Sequence, residues 1–527
     1  MEAALEFGTS QSYGQQVSAQ PTAPGEYSAD LTGLEANTTY HYRISSQDAN
    51  GNTAKSEDYA FLTSFLIPNG GATPRVTAGN GSLGAGFGKV QLDSGTSPVG
   101  LAIFGNGQPG ILVSEVAIPS APATTSGRVP IEVSADSLLN TGIALANPNT
   151  EDAIVQFDFR NAAGVIYRSA SLTLKGSASV CDPIDLCSHV SRFVDQSPFL
   201  SGRGIDGTLS FTSTAPISIL AVRTLYNERY DFLIANLPVI DSSVSSGPQV
   251  IPQFTVGNGM KTQVVLTNPT DLNLQGRVEF WNSSGVAALV RESARDITFL
   301  DYAVPPNGTQ RFLIEEAASA MQGPVWVVPT DGNPAPAPLA ILSYKPGAYT
   351  LSEATVPVTM GTAHRMYVQE SGSPPISTIV TIANATDGEG TVTLSLTDLD
   401  GSIVASQTQN MEARSMLRGS ISSLIPSLTQ IPIQGVLRVT TDLPNISVVG
   451  FRERYNERQP EPDFLFTTVP PILESDAASN RERFFPQVLN GEGFTTELIL
   501  YGGTPGESLG KMIFVSPDGT RSIIDIH

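Results

Sequence analysis

Gly142-Ile143-Ala144-Leu145-Ala146-Asn147-Pro148 reads as a strand that ends in a turn dipeptide, and the chain rebuilds it three times. The later copies are Gln263-Val264-Val265-Leu266-Thr267-Asn268-Pro269, Ile379-Val380-Thr381-Ile382-Ala383-Asn384-Ala385 and Glu497-Leu498-Ile499-Leu500-Tyr501-Gly502-Gly503. A glycine follows each at one fixed distance: Asn147 to Gly164, Asn268 to Gly285, Asn384 to Gly401 and Gly502 to Gly519 are all separated by 17 residues. Such constancy describes a strand, a turn, a second strand and a hairpin whose tight turn needs the positive φ that glycine supplies. From Thr73 onward the chain is therefore an internal repeat of about 117 to 121 residues.

The second half of the unit recurs as well. Pro216-Ile217-Ser218-Ile219-Leu220-Ala221-Val222-Arg223 parallels Pro338-Leu339-Ala340-Ile341-Leu342-Ser343-Tyr344-Lys345, and Ile446-Ser447-Val448-Val449-Gly450-Phe451-Arg452 follows the same frame. This aligns Arg223, Lys345 and Arg452. Tyr226-Asn227-Glu228-Arg229 reappears as Tyr455-Asn456-Glu457-Arg458. An earlier copy of this half begins at Pro98, and its exit Ser114-Glu115-Val116-Ala117-Ile118-Pro119 matches Ser352-Glu353-Ala354-Thr355-Val356-Pro357. Between the halves, Gln310 to Ala318 and Ser415 to Ile421 show helical spacing, which predicts short helices capping the open end of a sandwich.

Composition agrees with an all-β protein of several domains. The chain has 527 residues, with 48 glycines, 38 prolines and 15% charged residues, too long for one core and rich in turn formers. The expected architecture is a tandem of β-sandwiches. Its parts are 1–65 (a partial domain), 66–126 (half-repeat), 127–246, 247–360 and 361–476 (β-sandwich repeats) and 477–527 (C-terminal half-repeat). In one phase both ends are half-domains that complement each other, which permits head-to-tail polymerisation. In the other phase the chain holds four whole units and needs no partner, as chains ordinarily contain whole domains. Short linkers such as 241–248 imply an extended rod.

The segment Leu31-Thr32-Gly33-Leu34-Glu35-Ala36-Asn37-Thr38-Thr39-Tyr40 resembles the fibronectin type III family at its tyrosine corner. The resemblance covers only the later part of such a domain, because roughly two strands should precede Leu5. The expectation is a fragment of a longer protein, or else strands supplied by another chain. The repeats in turn resemble an uncharacterised Ig-like β-sandwich repeat of large secreted bacterial surface proteins. That resemblance rests on the Asn-Pro strand end, the glycine hairpin and the Pro-Ile-Ser-type strand with its arginine; it implies a secreted or cell-surface location and no activity, and the two resemblances together imply a tandem of Ig-like and fibronectin-type β-sandwiches, with 1–65 a partial fibronectin type III-like domain.

A formal charge of −21 disfavours nucleic acid and anionic lipid as partners. No run approaches a membrane span. Cys181 and Cys187 enclose five residues and suit a disulfide in an oxidising compartment, with free thiols as the alternative. Sequons at Asn37, Asn80, Asn282, Asn307, Asn384 and Asn445 look exposed and permit glycosylation.

Motifs that suggest chemistry have simpler structural readings. Gly506-Glu507-Ser508-Leu509-Gly510 lies between two strands and lacks the strand-to-helix elbow of a serine nucleophile. Gly79-Asn80-Gly81-Ser82-Leu83-Gly84 has no βαβ unit around it. Asp398-Leu399-Asp400-Gly401 shares its place with the other hairpin turns and lacks the remaining calcium ligands. The histidines, His41, His189, His364 and His527, are scattered over different modules. No catalytic residue, metal ligand or cofactor is expected. The function expected is a non-catalytic stalk, adhesive array or filament subunit, its partners being copies of itself or surface glycans and proteins. The alternatives are an accessory region of a secreted enzyme and a carbohydrate-binding array; the latter wants aromatic platforms, and the chain has two tryptophans, Trp281 and Trp326.

Overall fold

The computed structural model describes residues 2–522 except 24–25, 36–37, 49, 78, 80–81, 109, 178, 180–186, 242–244, 331, 373–374, 430, 478–481 and 518–520. Seven antiparallel sheets carry almost all regular structure, and the helices among the described residues are two four-residue turns, Ile421–Leu424 and Glu474–Ala477. The expected capping helices are thus largely absent. Thr309–Glu316 is a strand whose buried Phe312 and Ile314 alternate with more exposed neighbours, and it pairs with Met260–Thr267. Met416–Ser420 is likewise a strand, with the short helix starting only at Ile421. Pairing along the preceding strand overrides the helical spacing of these runs.

The N-terminal module is one sheet in the order Glu26–Ser28, Gln15–Ala23, Glu2–Gly8, Thr39–Gln47, Thr53–Lys55, with Tyr59–Leu62 also on Thr39–Gln47. Phe7 and Tyr40 are buried on it, 6.3 Å apart, and the Tyr40 hydroxyl accepts the Glu35 N–H at 3.3 Å. Ile44 and Tyr59 remain exposed.

Beyond it, the folding unit is the first half followed by the second. Thr124–Val133 through Phe232–Leu237 form one sandwich, Gln249–Val256 through Ser352–Pro357 a second, and Met360–Gly361 through Ile472–Leu473 a third. The fourth is composite. Phe494–Gly502 from the C-terminal segment is inserted between Pro98–Gln108 and Ala72–Val76, while Gly84–Gly95 lies between Arg483–Asn490 and Ser508–Val515. The two terminal half-repeats complete each other within a single chain.

The four sandwiches form a ring, not the extended rod that short linkers suggest. Their edge strands Ile111–Pro119, Phe232–Leu237, Ser352–Pro357 and Phe464–Val469 pack in a closed cycle, each on the next and the last on the first. The hydrophobic clusters advance the same way. The core of the first sandwich includes Val265, Leu339 and Ile341 of the second; that of the second includes Ile379, Val449 and Phe451 of the third. The core of the third includes Val99, Leu101 and Ile499 of the composite unit, whose own core includes Ala144 and Leu220 of the first. Each inner sheet is therefore apolar on both faces, one facing its own sandwich and one facing the preceding unit.

Candidate functional site at the joints of the ring

The equidistant asparagines and glycines are what builds the joints. Asn147, Asn268 and Asn384 are buried at the ends of their strands, where the amide donates to a carbonyl four residues on (Glu151, Leu272, Gly388) and to a second one across the turn (Leu174, Val304, Glu412). Their Oδ1 atoms accept the backbone N–H two residues later. At the far end of the hairpin the glycines have φ of +78° (Gly164), +74° (Gly285) and +82° (Gly401), and each presses on the next unit. An added Cβ would come within 1.9 Å of the Pro306 oxygen, 2.2 Å of the Ala413 oxygen and 2.1 Å of the Asn69 oxygen respectively. Backbone bonds cross at the same places: Thr309 N–H to Ala162 O, Met416 N–H to Ser283 O, and Ala72 N–H to Leu399 O. The fourth glycine, Gly519, lies outside the described residues, but its neighbour Pro517 accepts the N–H of Ser188 in the first repeat and so closes the cycle.

A second recurrent residue was not singled out in the sequence. Thr141, Thr262, Thr378 and Thr496 each stand six positions before the strand-end residue, and each is buried. Each hydroxyl both accepts the N–H and donates to the C=O of one residue in the unit's first strand: Glu132, Thr255, Gln369 and Leu489. Four copies of one reciprocal bond pair show that the composite sandwich is built like the others.

Pairing register revises the cation series. Arg223 and Arg452 face Thr141 and Thr378, but the residue facing Thr262 is Leu342, so Lys345 is not their counterpart. Arg452 is buried, the Arg223 side chain is 12% exposed, and both reach into the neighbouring unit. Arg223 binds Glu353 (3.0 Å) and Glu132 (2.7 Å); Arg452 binds Glu115 (3.3 Å) and Gln369. Burial works against their charge, yet the facing carboxylates outweigh it and hold both guanidinium groups above their usual range.

The repeated Tyr-Asn-Glu-Arg segments meet across the ring. Arg229 grips Asp463 through two bonds (3.2 and 2.7 Å), and Arg458 reaches both oxygens of Asp231 at 3.1 Å. Asn227 donates to Thr350 O and Asn456 to Leu112 O. Glu228 binds Lys345 and the Thr350 N–H, while Glu457 accepts the Leu112 N–H. Burial resists the charge of Glu228, but Lys345 and the Thr350 amide overcome it and hold the carboxyl down to about 2. The first and third repeats therefore match each other, as do the second and the composite, and the ring has a pseudo-twofold axis.

The other sequence candidates are spent on structure. The Ser508 hydroxyl is buried and donates to Thr96 O at 2.6 Å. Asp398 accepts the Ser402 N–H within its hairpin. His189 is buried against the Pro486 carbonyl and Gln487 side chain of the composite unit, and that burial lowers its pKa to about 4. His364 lies against Thr359 O, and His41 pairs with Asp58 at 2.9 Å. Among the described residues no group of three or more His, Cys, Asp or Glu is placed to hold a metal ion.

The sequons fare unequally. Asn384 is fully buried with its amide engaged, contrary to its exposed look in the sequence, because the strand-end role requires burial. Asn307 accepts from Arg128 and donates to Asp271 at 2.7 Å; Asn282 caps its own hairpin; Asn445 is half-buried. Asn37, Asn80 and His527 lie outside the described residues, as does Cys181, while Cys187 is disulfide-bonded.

No protein-family model matches the chain, and no curated protein does. Among solved structures, similarity is found at low scores. Thermotoga maritima 1070 is 12% identical over 21% of this chain and 93% of its own, with a TM-score of 0.16. The infectious bursal disease virus VP2 subviral particle is 10% identical over 75% and 83%, at 0.11. BcpA, the major pilin subunit of Bacillus cereus, is 10% identical over 64% and 89%, at 0.10.

Proposed function

We propose that this chain is a non-catalytic extracellular region whose four repeats serve as a rigid structural or adhesive ring, carried beside a fibronectin type III-like module. The observation that carries the reading is that the recurrent motifs are consumed in joining units: the hairpin glycines, Arg223 and Arg452, and the paired Tyr-Asn-Glu-Arg segments all face a neighbouring unit. A surface whose most regular residues are spent on rigidity suits load-bearing or display. The polymerising variant needs the composite sandwich to open, since its halves are already paired within one chain. Light scattering with small-angle X-ray scattering tests the proposal. A ring-shaped monomer at high concentration supports the closed module, growth into chains would replace it with a filament, and an extended monomer would overturn the ring.

A further inference from the structure

The pseudo-twofold ring has two equivalent crevices, one between the composite unit and the first repeat, the other between the second and third. Pairing register equates positions in and beside them: Thr224 corresponds to Glu453, Ser191 to Arg418, Val222 to Phe451, and the pair Tyr226 and Phe232 to Tyr455 and Phe464. The first crevice, 770 Å³, has a mainly apolar lining that includes Phe104, Phe494 and Leu489; Arg192 also lines it, with no carboxylate among its described lining residues. The second, 340 Å³, keeps an aromatic wall but carries an ion pair, Arg418 and Glu453, joined at 2.8 Å, where the first has Ser191 and Thr224. A joint of this kind thus holds without the pair, and packing alone does not call for it.

What the second crevice offers is amphipathic. Tyr455, Phe464 and Tyr344 form a contiguous group, with centroids 5.4 and 5.7 Å from Phe464, and Tyr455 is 56% exposed. The same three rings line an adjoining cavity of 550 Å³ that Arg229 and Arg458 also line, so the aromatic group is a ridge between two neighbouring hollows. Beside it, Glu453 spends one oxygen on Arg418, and the other carries no protein hydrogen bond among the described residues; the Gln322 and Asn258 amides are also unspent. Burial pushes the Glu453 carboxyl up, with Arg418 opposing, so the group gains from hydroxyl donors. The guanidinium and carboxylate cancel, and the whole chain is acidic, which selects against an anionic ligand.

A ligand with flat C–H faces, outward hydroxyls, no charge and some length fits this chemistry. We propose that the groove between the second and third repeats binds a neutral oligosaccharide, a pyranose ring lying on the Tyr455 and Phe464 ridge with its hydroxyls on Glu453 and Arg418. This stands whether or not the ring acts as a stalk. The test is calorimetric titration of the intact chain with cellohexaose, maltohexaose, chitohexaose and mannohexaose, with saturation-transfer NMR on the same samples. The expected result is a Kd below about 1 mM for at least one of them, weakened by about tenfold or more in Tyr455→Ala. The double variant Glu453→Thr with Arg418→Ser, which copies the other crevice, should abolish binding while melting within a few degrees of the parent. No binding by any of the four, or binding that survives both variants, overturns the site; a double variant that unfolds assigns the pair to the joint and also overturns it, with Tyr455→Ala as the independent check.

Discussion

Three of the sandwiches are contiguous in sequence and the fourth is assembled from segments more than 350 residues apart, yet the four share strand order, the buried threonine bond pair and the joint geometry. The difference lies in what holds the unit together. A contiguous repeat keeps its halves close through its own chain, whereas the composite unit relies on ladders such as Phe494–Gly502 against Pro98–Gln108 and on the joints to either side. Closing the ring makes those halves neighbours, so that joining them is an intramolecular event with a high effective concentration. The composite unit is accordingly the place where the ring should give way first.

The largest expected effect comes from removing that unit's C-terminal half. Truncation after Ala477 strips the partner strands from Pro98–Gln108 and Gly84–Gly95 and leaves apolar faces and free edges. The truncated chain should self-associate in light scattering and lose amide protection over 84–108, whereas the second repeat should stay protected. Equal loss in both regions would show that the ring has no weak member.

Next in size are the hairpin glycines. Gly164→Ala places a methyl 1.9 Å from the Pro306 oxygen at a φ of +78°. Gly110 has the same φ with nothing within 4 Å, so Gly110→Ala isolates the backbone cost of about 1 kcal/mol. The joint variant should exceed that control by at least about 2 kcal/mol in denaturant unfolding. Identical losses would mean that the glycine serves only the turn.

The joint that closes the ring should also be the one that responds to acid. His189 sits between the first repeat and the composite unit, with Arg192 adding to the cost of its protonation. In the unfolded chain a histidine takes a proton near pH 6.5, but the folded one resists until about 4. Below pH 6.5 the unfolded state therefore holds the extra proton, and stability falls as pH drops towards 4, by about 3 kcal/mol from this group. Above pH 7 the group contributes no pH dependence. Unfolding followed from pH 7.5 to 4.5 in the parent and in His189→Gln should show a slope that the variant lacks; matching slopes would place the acid response elsewhere.

How much of this was legible beforehand depends on the residue. The glycine spacing revealed a repeated hairpin, because a positive φ restricts residue choice in a way that sequence displays. That the same glycines press on a neighbouring unit has no sequence signal, since the partner carbonyls of Pro306, Ala413 and Asn69 are backbone atoms with no side-chain identity. The runs at Ile143 to Ala146 and Val264 to Leu266 carried a signal that alternation-based reading passes over: continuous apolarity marks strands covered on both faces, which implies a third layer. The arginine frame slipped at Lys345 because local similarity aligned Pro216 with Pro338, whereas pairing register places Leu220 level with Leu339. The groove proposed for an oligosaccharide was not visible because its aromatics, Tyr344 and Tyr455, come from different repeats and only the ring brings them together.

The smallest effect gives the sharpest comparison. Thr262 and Thr496 make the same bonds at 2.7 to 3.0 Å, one within a contiguous sandwich and one within the composite. Valine keeps the shape and removes the hydroxyl, leaving a strand N–H and C=O unpaired in a buried setting, at about 2 kcal/mol in either unit. If the composite sandwich is as tightly closed as its siblings, Thr262→Val and Thr496→Val should lose the same stability in denaturant titration. If it breathes, water repairs the broken bonds during opening, and the Thr496 variant should lose measurably less while its amides near Leu489 exchange faster. Equal losses with equal exchange would establish that joining the two ends of the chain makes a unit no weaker than one made from a single stretch.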